Sequence, residues 1–306
     1  MVDSSVTSFG IELGNAIFAG NFESNTPEWH ALRMTGIGGS DVAGICKASP
    51  WSSPFKIWAV KTGRLDDSFV PSEAAEWGSR LEDVIIDKFQ EKHPELIVHR
   101  KVGTWRNKTH NFQLANPDAI YETPDGRYGI LEIKTSAYQD DWKNDDGEPG
   151  VPLWYRTQTQ WYDDTFGFDM PIYVACLFSG RHYEEYVLAP SKMAQEAYRA
   201  EVEEFMSYIA KDEHPDFDGS MATYETVREL NPEIDSDGSV ELGALGSAYI
   251  QATKAVDEAG EVLNEAKSRI LDAMGTAKRG LLAGEWIVTR QSRNGGTPYL
   301  ISKKGK

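Results

Sequence analysis

Asn116-Pro117-Asp118-Ala119-Ile120-Tyr121-Glu122-Thr123-Pro124-Asp125-Gly126-Arg127-Tyr128-Gly129-Ile130-Leu131-Glu132-Ile133-Lys134-Thr135 decides how the rest of the chain is read. Ala119-Ile120-Tyr121 and Tyr128-Gly129-Ile130 flank Thr123-Pro124-Asp125-Gly126, the pattern of strand, tight turn and strand. A hairpin of this kind brings Asp118 beside Glu132. Side chains alternate along a strand, so Ile130, Glu132 and Lys134 share one face and Leu131, Ile133 and Thr135 the other. One face then carries chemistry while the other packs.

Working outward, Ser72 to His93 reads as an amphipathic helix with Trp77, Leu81, Val84, Ile85 and Phe89 on its apolar face, stopped by Pro94. Glu82 lies on the border of that face, placed to enter a cleft beside the sheet. Strands are predicted at Ile97 to Trp105, Asn111 to Ala115, Asp118 to Glu122 and Tyr128 to Thr135. Upstream, a short helix begins at Pro27 and carries Trp29 and Arg33. The glycine-rich turn Gly36 to Asp41 leads into a second helix capped by Ser40 or Asp41, and Ser53-Pro54 opens a third that ends at Gly63.

Downstream, Gln139 to Pro152 is an acidic loop with Asp140, Asp141, Asp145, Asp146 and Glu148. Pro152 starts a helix through Phe166, with Tyr155, Gln158 and Tyr162 on one face. A hairpin of Met170 to Phe178 and His182 to Leu188 extends the sheet. Met193, Ala197, Val202, Phe205 and Ile209 form a helical stripe. Ala252, Val256, Ala259, Leu263, Ala266, Ile270 and Ala273 follow coiled-coil spacing over only about three heptads, a length that favours packing within the chain. A short hairpin with Trp286, Val288 and Tyr299 follows Gly280, and the tail carries Arg290, Arg293, Lys303, Lys304 and Lys306. The expected organisation is an extension at 1–26, a core at 27–212, a linker at 213–239 and an appendage at 240–306.

The composition, 40% hydrophobic and 26% charged over 306 residues, is that of a globular protein. No apolar run approaches the roughly 18 residues that span a bilayer. The first residues lack the basic segment of a secretory signal, so a cytoplasmic protein is expected. Cys46 and Cys176 are too few for a disulfide framework, a four-cysteine zinc site or an iron–sulfur cluster. A net charge of -17 opposes a general nucleic-acid coat, because phosphate binding relies on Lys and Arg. An acidic site that first captures cations escapes that objection, since the cations present positive charge to phosphate. Any DNA-binding surface should therefore be local.

Phosphodiester hydrolysis needs an activated water and compensation of charge in the transition state, both of which bound Mg²⁺ provides. Asp118 and Glu132 are the candidate metal ligands, with Glu82 and the backbone carbonyl of Ile133 completing the set. Without a cation, carboxylates about 4 Å apart repel by about 4 kcal/mol per pair at an effective dielectric near 20. Lys134 is placed to orient the attacking water and stabilise charge; with its pKa lowered by cations it would instead accept a proton. Gln158 offers an amide to water or phosphate, and Tyr155 or Tyr162 a ring to stack on a base. Taken singly, each has a plainer reading as a cross-strand ion pair, turn, solvated helix face, surface cation or helix cap. Their joint order carries the weight.

That order, seen in E-W-H-A-L-R-M-T-G-I-G-G-S-D, W-G-S-R-L-E-D, A-N-P-D-A, L-E-I-K-T and Y-R-T-Q-T-Q-W-Y, resembles the YqaJ-type viral recombinase family. This family is related to lambda exonuclease within the PD-(D/E)XK nuclease superfamily, and the likeness covers roughly Glu28 to Leu188. It implies an α/β fold with a restriction-endonuclease-like central mixed β-sheet flanked by helices, here followed by a C-terminal helical extension ending in a small β-hairpin. It implies a Mg²⁺-dependent 5′ to 3′ exonuclease, with two ions and Mn²⁺ able to substitute, that resects double-stranded DNA ends to expose 3′ single strands for phage-type recombination. A single-strand annealing protein as partner, no membrane association and a host-cytoplasmic location belong to the same expectation; relatives form toroidal trimers, and the sequence leaves the oligomeric state of this chain open. Residue by residue, Glu82, Asp118 and Glu132 match metal ligands, Lys134 the catalytic lysine and Gln158 the conserved glutamine. Arg33 and Ser40 match positions that hold a terminal 5′ phosphate. The rival readings are an endonuclease of the same superfamily and a non-catalytic DNA-end-binding scaffold.

Overall fold

The computed structural model describes residues 9–66, 72–144 and 147–303. Residues 1–8, Asp145 and Asp146 of the acidic loop, and Lys304 and Lys306 of the basic tail lie outside the described residues. The chain divides into two units, Met1–Pro232 and Glu233–Lys306.

In the first unit the elements run β1 (Glu12–Leu13), β2 (Ala16–Gly20), α1 (Pro27–Arg33), α2 (Gly39–Ile45), α3 (Pro54–Lys61), α4 (Glu73–Lys92), β3 (Ile97–Arg100), β4 (Thr104–Asn107), β5 (Leu114–Ala115), β6 (Ala119–Glu122), β7 (Tyr128–Ser136), α5 (Leu153–Phe166), β8 (Ile172–Phe178), β9 (His182–Leu188), α6 (Lys192–Lys211) and α7 (Met221–Leu230). The main sheet has the order β3-β6-β7-β8-β9. Only β7 and β8 run parallel. That pairing requires a crossover, and α5 is the helix that makes it. A smaller antiparallel sheet has the order β1-β2-β4-β5. This is a mixed α/β fold with a central mixed sheet flanked by helices.

Alternation along β7 sorts its side chains between two layers. Leu131 and Ile133 are buried against Ile85, Ile86 and Phe89 of α4. Ile130 enters the other core cluster, with Trp105, Trp161 and Phe166. Fully burying a side chain such as Leu131 stabilises the fold by about 1.5–3 kcal/mol. Strand β7 is thus held from both sides, and its polar residues are fixed in position by apolar neighbours. Trp161 ties the layers further, its indole N–H reaching the carbonyls of Leu114 and Ile37 at 3.1 and 3.2 Å.

Several local expectations are corrected. The segment assigned to a loose extension at 1–26 contains β1 and β2, and β2 pairs with β4, a partner roughly ninety residues away that local sequence does not reveal. The linker assigned to 213–239 contains α7, whose Thr223 hydroxyl donates to Ser53 Oγ at 2.8 Å. The single strand expected over Ile97 to Trp105 is two strands in two different sheets. Lys101 and Gly103 adopt left-handed backbone between them, with φ of 52° and 73°, and turn the chain. On α4, Trp77 and Val84 are exposed, because the sheet covers only the stripe through Ile85, Ile86 and Phe89. On α6, Met193 and Ala197 are exposed, and the buried face runs through Gln195, Val202 and Phe205.

The second unit consists of α8 (Ala244–Met274) and an antiparallel sheet of β10 (Arg279–Leu282), β11 (Glu285–Gln291) and β12 (Tyr299–Ser302). Its sheet has three strands where a hairpin was expected. Helix α8 has no buried residue, so the packing expected of the Ala252 to Ala273 seam is not found within this unit. Among the described residues no helix is long and apolar enough to cross a membrane.

Candidate active site

Asp118 lies immediately before β6 and Glu132 within β7, and the register unites them. Ala119 pairs with Leu131, which leaves Asp118 facing Glu132 one step along. Pro117 has no N–H to donate and the ladder ends there. The next amide of β7 on that side, Ile133 N–H, donates instead to Asp118 Oδ2 at 2.7 Å. Within a strand the carbonyl of a residue lies on the same edge as its N–H, so the Ile133 carbonyl also lies on the Asp118 side.

Glu132 is 1% exposed. Its Oε1 accepts from Lys134 Nζ at 2.5 Å and from Gln158 Nε2 at 2.8 Å, while its Oε2 is buried with no hydrogen-bond partner. Lys134 Nζ also sits 4.9 Å over the ring of Tyr155. Gln158 Nε2 donates a second bond to the Tyr162 hydroxyl at 3.0 Å, one turn along α5. Glu132 Oε1 and the Tyr162 hydroxyl both accept from Gln158 Nε2, which leaves Oε1 of Gln158 for another donor. Tyr162 is 5% exposed, which corrects its expected role in stacking on a base. It holds Gln158 instead.

Burial pushes the Glu132 carboxyl up to about 8, Asp118 adds to the rise, and Lys134 pulls it partly back. Asp118 is raised by burial, against Lys134 and the Ile133 N–H. Glu82 of α4 is raised to about 7 by burial and then by Asp118 and Asp83, with Lys134 and Lys101 opposing. Burial alone would lower the Lys134 ammonium, but Glu132 and Asp118 more than reverse that and raise it. Lys134 is therefore a firmly held cation among carboxylates that resist ionising together. Glu82, Asp118, Asn116, Pro117 and Lys101 line a cavity of ≈ 450 Å³. Among the described residues no three His, Cys, Asp or Glu side chains already converge as a metal cage.

A second cavity of ≈ 440 Å³ is lined by Trp29, Arg33, Ser40, Asp41, Lys56 and Lys61, among others. Asp41 organises it. Its Oδ1 accepts from Arg33 at 3.0 Å, and its Oδ2 meets Lys61 Nζ at 2.9 Å and the Gly38 N–H at 3.0 Å. Lys61 Nζ also donates to the Arg33 carbonyl at 2.8 Å, and the Arg33 guanidinium lies 4.6 Å over the Trp29 ring. Burial would raise the Asp41 carboxyl, but Lys61 and then Arg33 outweigh it and hold it at about 2. Three cations against one carboxylate make this cavity locally positive in a chain of net charge -17. Of the two expected caps, Asp41 closes the helix start onto Gly38, the N-cap of α2, while Ser40 is a buried residue of the first turn.

The two sites share a wall. A Cβ at Gly39 would stand 2.6 Å from Tyr162 Cε1 and 2.9 Å from Gln158 Cγ, so α2, which carries Ser40 and Asp41, rests directly on the residues that orient Gln158. Lys56 and Lys61 were not singled out from sequence, and Asp41 was expected only as a helix cap.

Residues 28–164 match the YqaJ-like viral recombinase domain. YqaJ of Bacillus subtilis (strain 168), an uncharacterized protein, is 30% identical over 269 residues, which cover 84% of this chain and 82% of that protein. The chain belongs to the YqaJ-like viral recombinase family. Among solved structures it is similar to the alkaline exonuclease LHK-Exo of Laribacter hongkongensis, with a TM-score of 0.48, 18% identity, and coverage of 68% of this chain and 100% of that one. The same values hold for LHK-Exo in complex with dAMP.

Proposed function

We propose that this chain is a metal-dependent deoxyribonuclease that degrades one strand of linear double-stranded DNA from a 5′-phosphorylated end. The observation that carries the reading is the half-buried cluster of Asp118, Lys134 and Gln158 around the buried Glu132 carboxyl, with the α2–α5 wall between it and a cavity of positive charge. A coat of positive charge is absent from this acidic chain, so binding would be concentrated at that cavity and at the cations of the site.

The residues fit a divalent cation. Glu132 Oε2 is a buried acceptor with no donor, a costly arrangement that a cation relieves. The raised carboxyls of Glu82, Asp118 and Glu132 express the same lack of positive charge. Asp118, Glu132, Glu82 and the Ile133 carbonyl would hold Mg²⁺, in one or two ions with Mn²⁺ able to replace it. When bound, the ion supplies Lewis acidity toward phosphate and a water more easily deprotonated. Lys134 places its ammonium where negative charge develops on the phosphorane. Gln158 accepts a hydrogen bond from the attacking water through Oε1 and so orients it. Arg33 and Ser40 hold the terminal phosphate, the Arg fork in a pose set by Asp41 and Trp29. Anchoring the phosphorylated end fixes the 5′ to 3′ direction and leaves a 3′ single strand for an annealing protein. The work would take place in the host cytoplasm.

The test offers the purified protein linear duplex carrying either a 5′ phosphate or a 5′ hydroxyl, with Mg²⁺ or with chelator. Mononucleotides released from the phosphorylated end in Mg²⁺ alone are the expected result. Oligonucleotide products independent of end chemistry would mark an endonuclease, and no product under any condition would mark a scaffold.

A further inference from the structure

Trp51 stands between Ser49 and Ser52, both of which line the cationic cavity, yet its own ring is 62% exposed. Its backbone N–H is held by Ser49 Oγ at 3.2 Å, which fixes the start of the loop into α3. The Trp51 ring lies 5.2 Å from Trp154 at 77°, and Trp154 lies 5.7 Å from Tyr155 at 65°. Tyr155 in turn covers Lys134 Nζ. An unbroken file of rings therefore leads from the rim of the Arg33 cavity to the catalytic lysine. Trp154 also keeps a buried indole N–H without a partner.

We propose that Trp51 and Trp154 form a stacking platform for the first bases of the DNA strand whose terminal phosphate enters the Arg33 cavity, an inference that rests on the nuclease reading for its substrate. The chemistry of the two features matches a nucleotide: cations on one side for phosphate, aromatic faces beside them for a base. Stacking suits an acidic chain, because its affinity does not depend on positive charge and every base has a face to offer. A terminal base already offers one face to an indole, whereas the bases behind it reach one only after leaving their stacked neighbours.

The experiment uses the whole chain in chelator, so that nothing is cut, and measures binding of a short 5′-phosphorylated single-stranded oligodeoxythymidylate by fluorescence anisotropy. Parallel oligonucleotides lack the base at the first, second or third nucleotide. Trp51→Ala and Trp154→Ala should each weaken binding about tenfold, as expected for loss of a stacked base, while Trp51→Phe binds like the parent. Removing the base at one of the three positions should weaken the parent about tenfold and leave Trp51→Ala nearly unchanged, since the two losses remove one interaction. Parent-like binding by Trp51→Ala, or base removals that cost this variant as much as the parent at every position, overturns the platform. Hydrolysis followed in Mg²⁺ separates the two readings. Mononucleotide release with unaltered binding by Trp51→Ala removes the platform and keeps the nuclease. Trp51-dependent binding with no release removes the nuclease and keeps a strand-binding platform.

Discussion

Replacing Lys134 with Met keeps most of the side-chain stem and deletes the charge, so its effect measures what the ammonium does for the buried carboxylates. In the parent, Glu132 loses protons only near pH 8 even with Lys134 at 2.5 Å. Without the lysine, Glu132 keeps Gln158 and Asp118 keeps the Ile133 N–H, and neither hydrogen bond supplies positive charge. Removing one partner of a buried ion pair costs about 3–5 kcal/mol, but proton uptake caps that cost. Glu132 is already protonated in the parent at pH 5.5, so the proton-uptake cost of about 1.4 kcal/mol per pH unit separates parent from variant only above about pH 8. The sign follows from linkage: Glu132 has a folded pKa above its unfolded one, so stability is fully present below about 4.5 and is lost as pH rises through the folded value. Deleting Lys134 raises that folded value further and extends the loss to higher pH. Lys134→Met should therefore cost the metal-free protein little beyond packing at pH 5.5 and about 2 kcal/mol at pH 9.5. At the higher pH this corresponds to a Tm lower by roughly 4 to 8 °C for a unit of this size. Urea denaturation in chelator at the two pH values, followed by tryptophan fluorescence, reads the difference. An equal loss at both would mean that Lys134 acts through its packing on Tyr155 and would refute the electrostatic reasoning.

The parent protein in chelator should lose stability as pH climbs from about 4.5 to about 8, because Glu82, Asp118 and Glu132 all have raised folded values; added Mg²⁺ should flatten the Tm profile, and a flat profile in chelator counts against the site. Arg33→Ala should raise KM about tenfold for 5′-phosphorylated ends and leave 5′-hydroxyl ends unaffected, and a steady-state assay on both substrates reveals an equal loss if Arg33 serves only the fold. Gly39→Ala, which drives a methyl against Tyr162 and Gln158, should cost about 1–3 kcal/mol of stability and reduce kcat far more than KM. A thermal melt and a rate measurement together check this, and unchanged kcat would show that α2 does not set the position of Gln158.

What the sequence determined by itself was local. Strand alternation placed Glu132 and Lys134 on one face, a short turn brought Asp118 beside them, and Pro152 marked the start of the helix that carries Gln158. Each follows from backbone geometry over a few residues. Tertiary structure decided everything that depends on which surfaces meet. Periodicity marked apolar stripes on α4 and α6, but the sheet covers Ile85, Ile86 and Phe89 and leaves Trp77 and Val84 in water, because burial depends on the neighbour as well as the pattern. Strands β1 and β2 are short and interrupted by Gly14 and Asn15, and their signal becomes visible only when β4 arrives to pair with them. Asp41 looked like a helix cap and is one, yet its larger part, clamping Arg33 and Lys61 around one cavity, joins a residue eight positions before it to one twenty positions after. Tyr162, legible as a ring on the same helical face as Gln158, is enclosed by the close approach of α2 at Gly39. Short-range rules act through bonds and turns that the chain carries with it, whereas the shape of a cleft arises only when distant elements are driven together by the burial of their apolar faces.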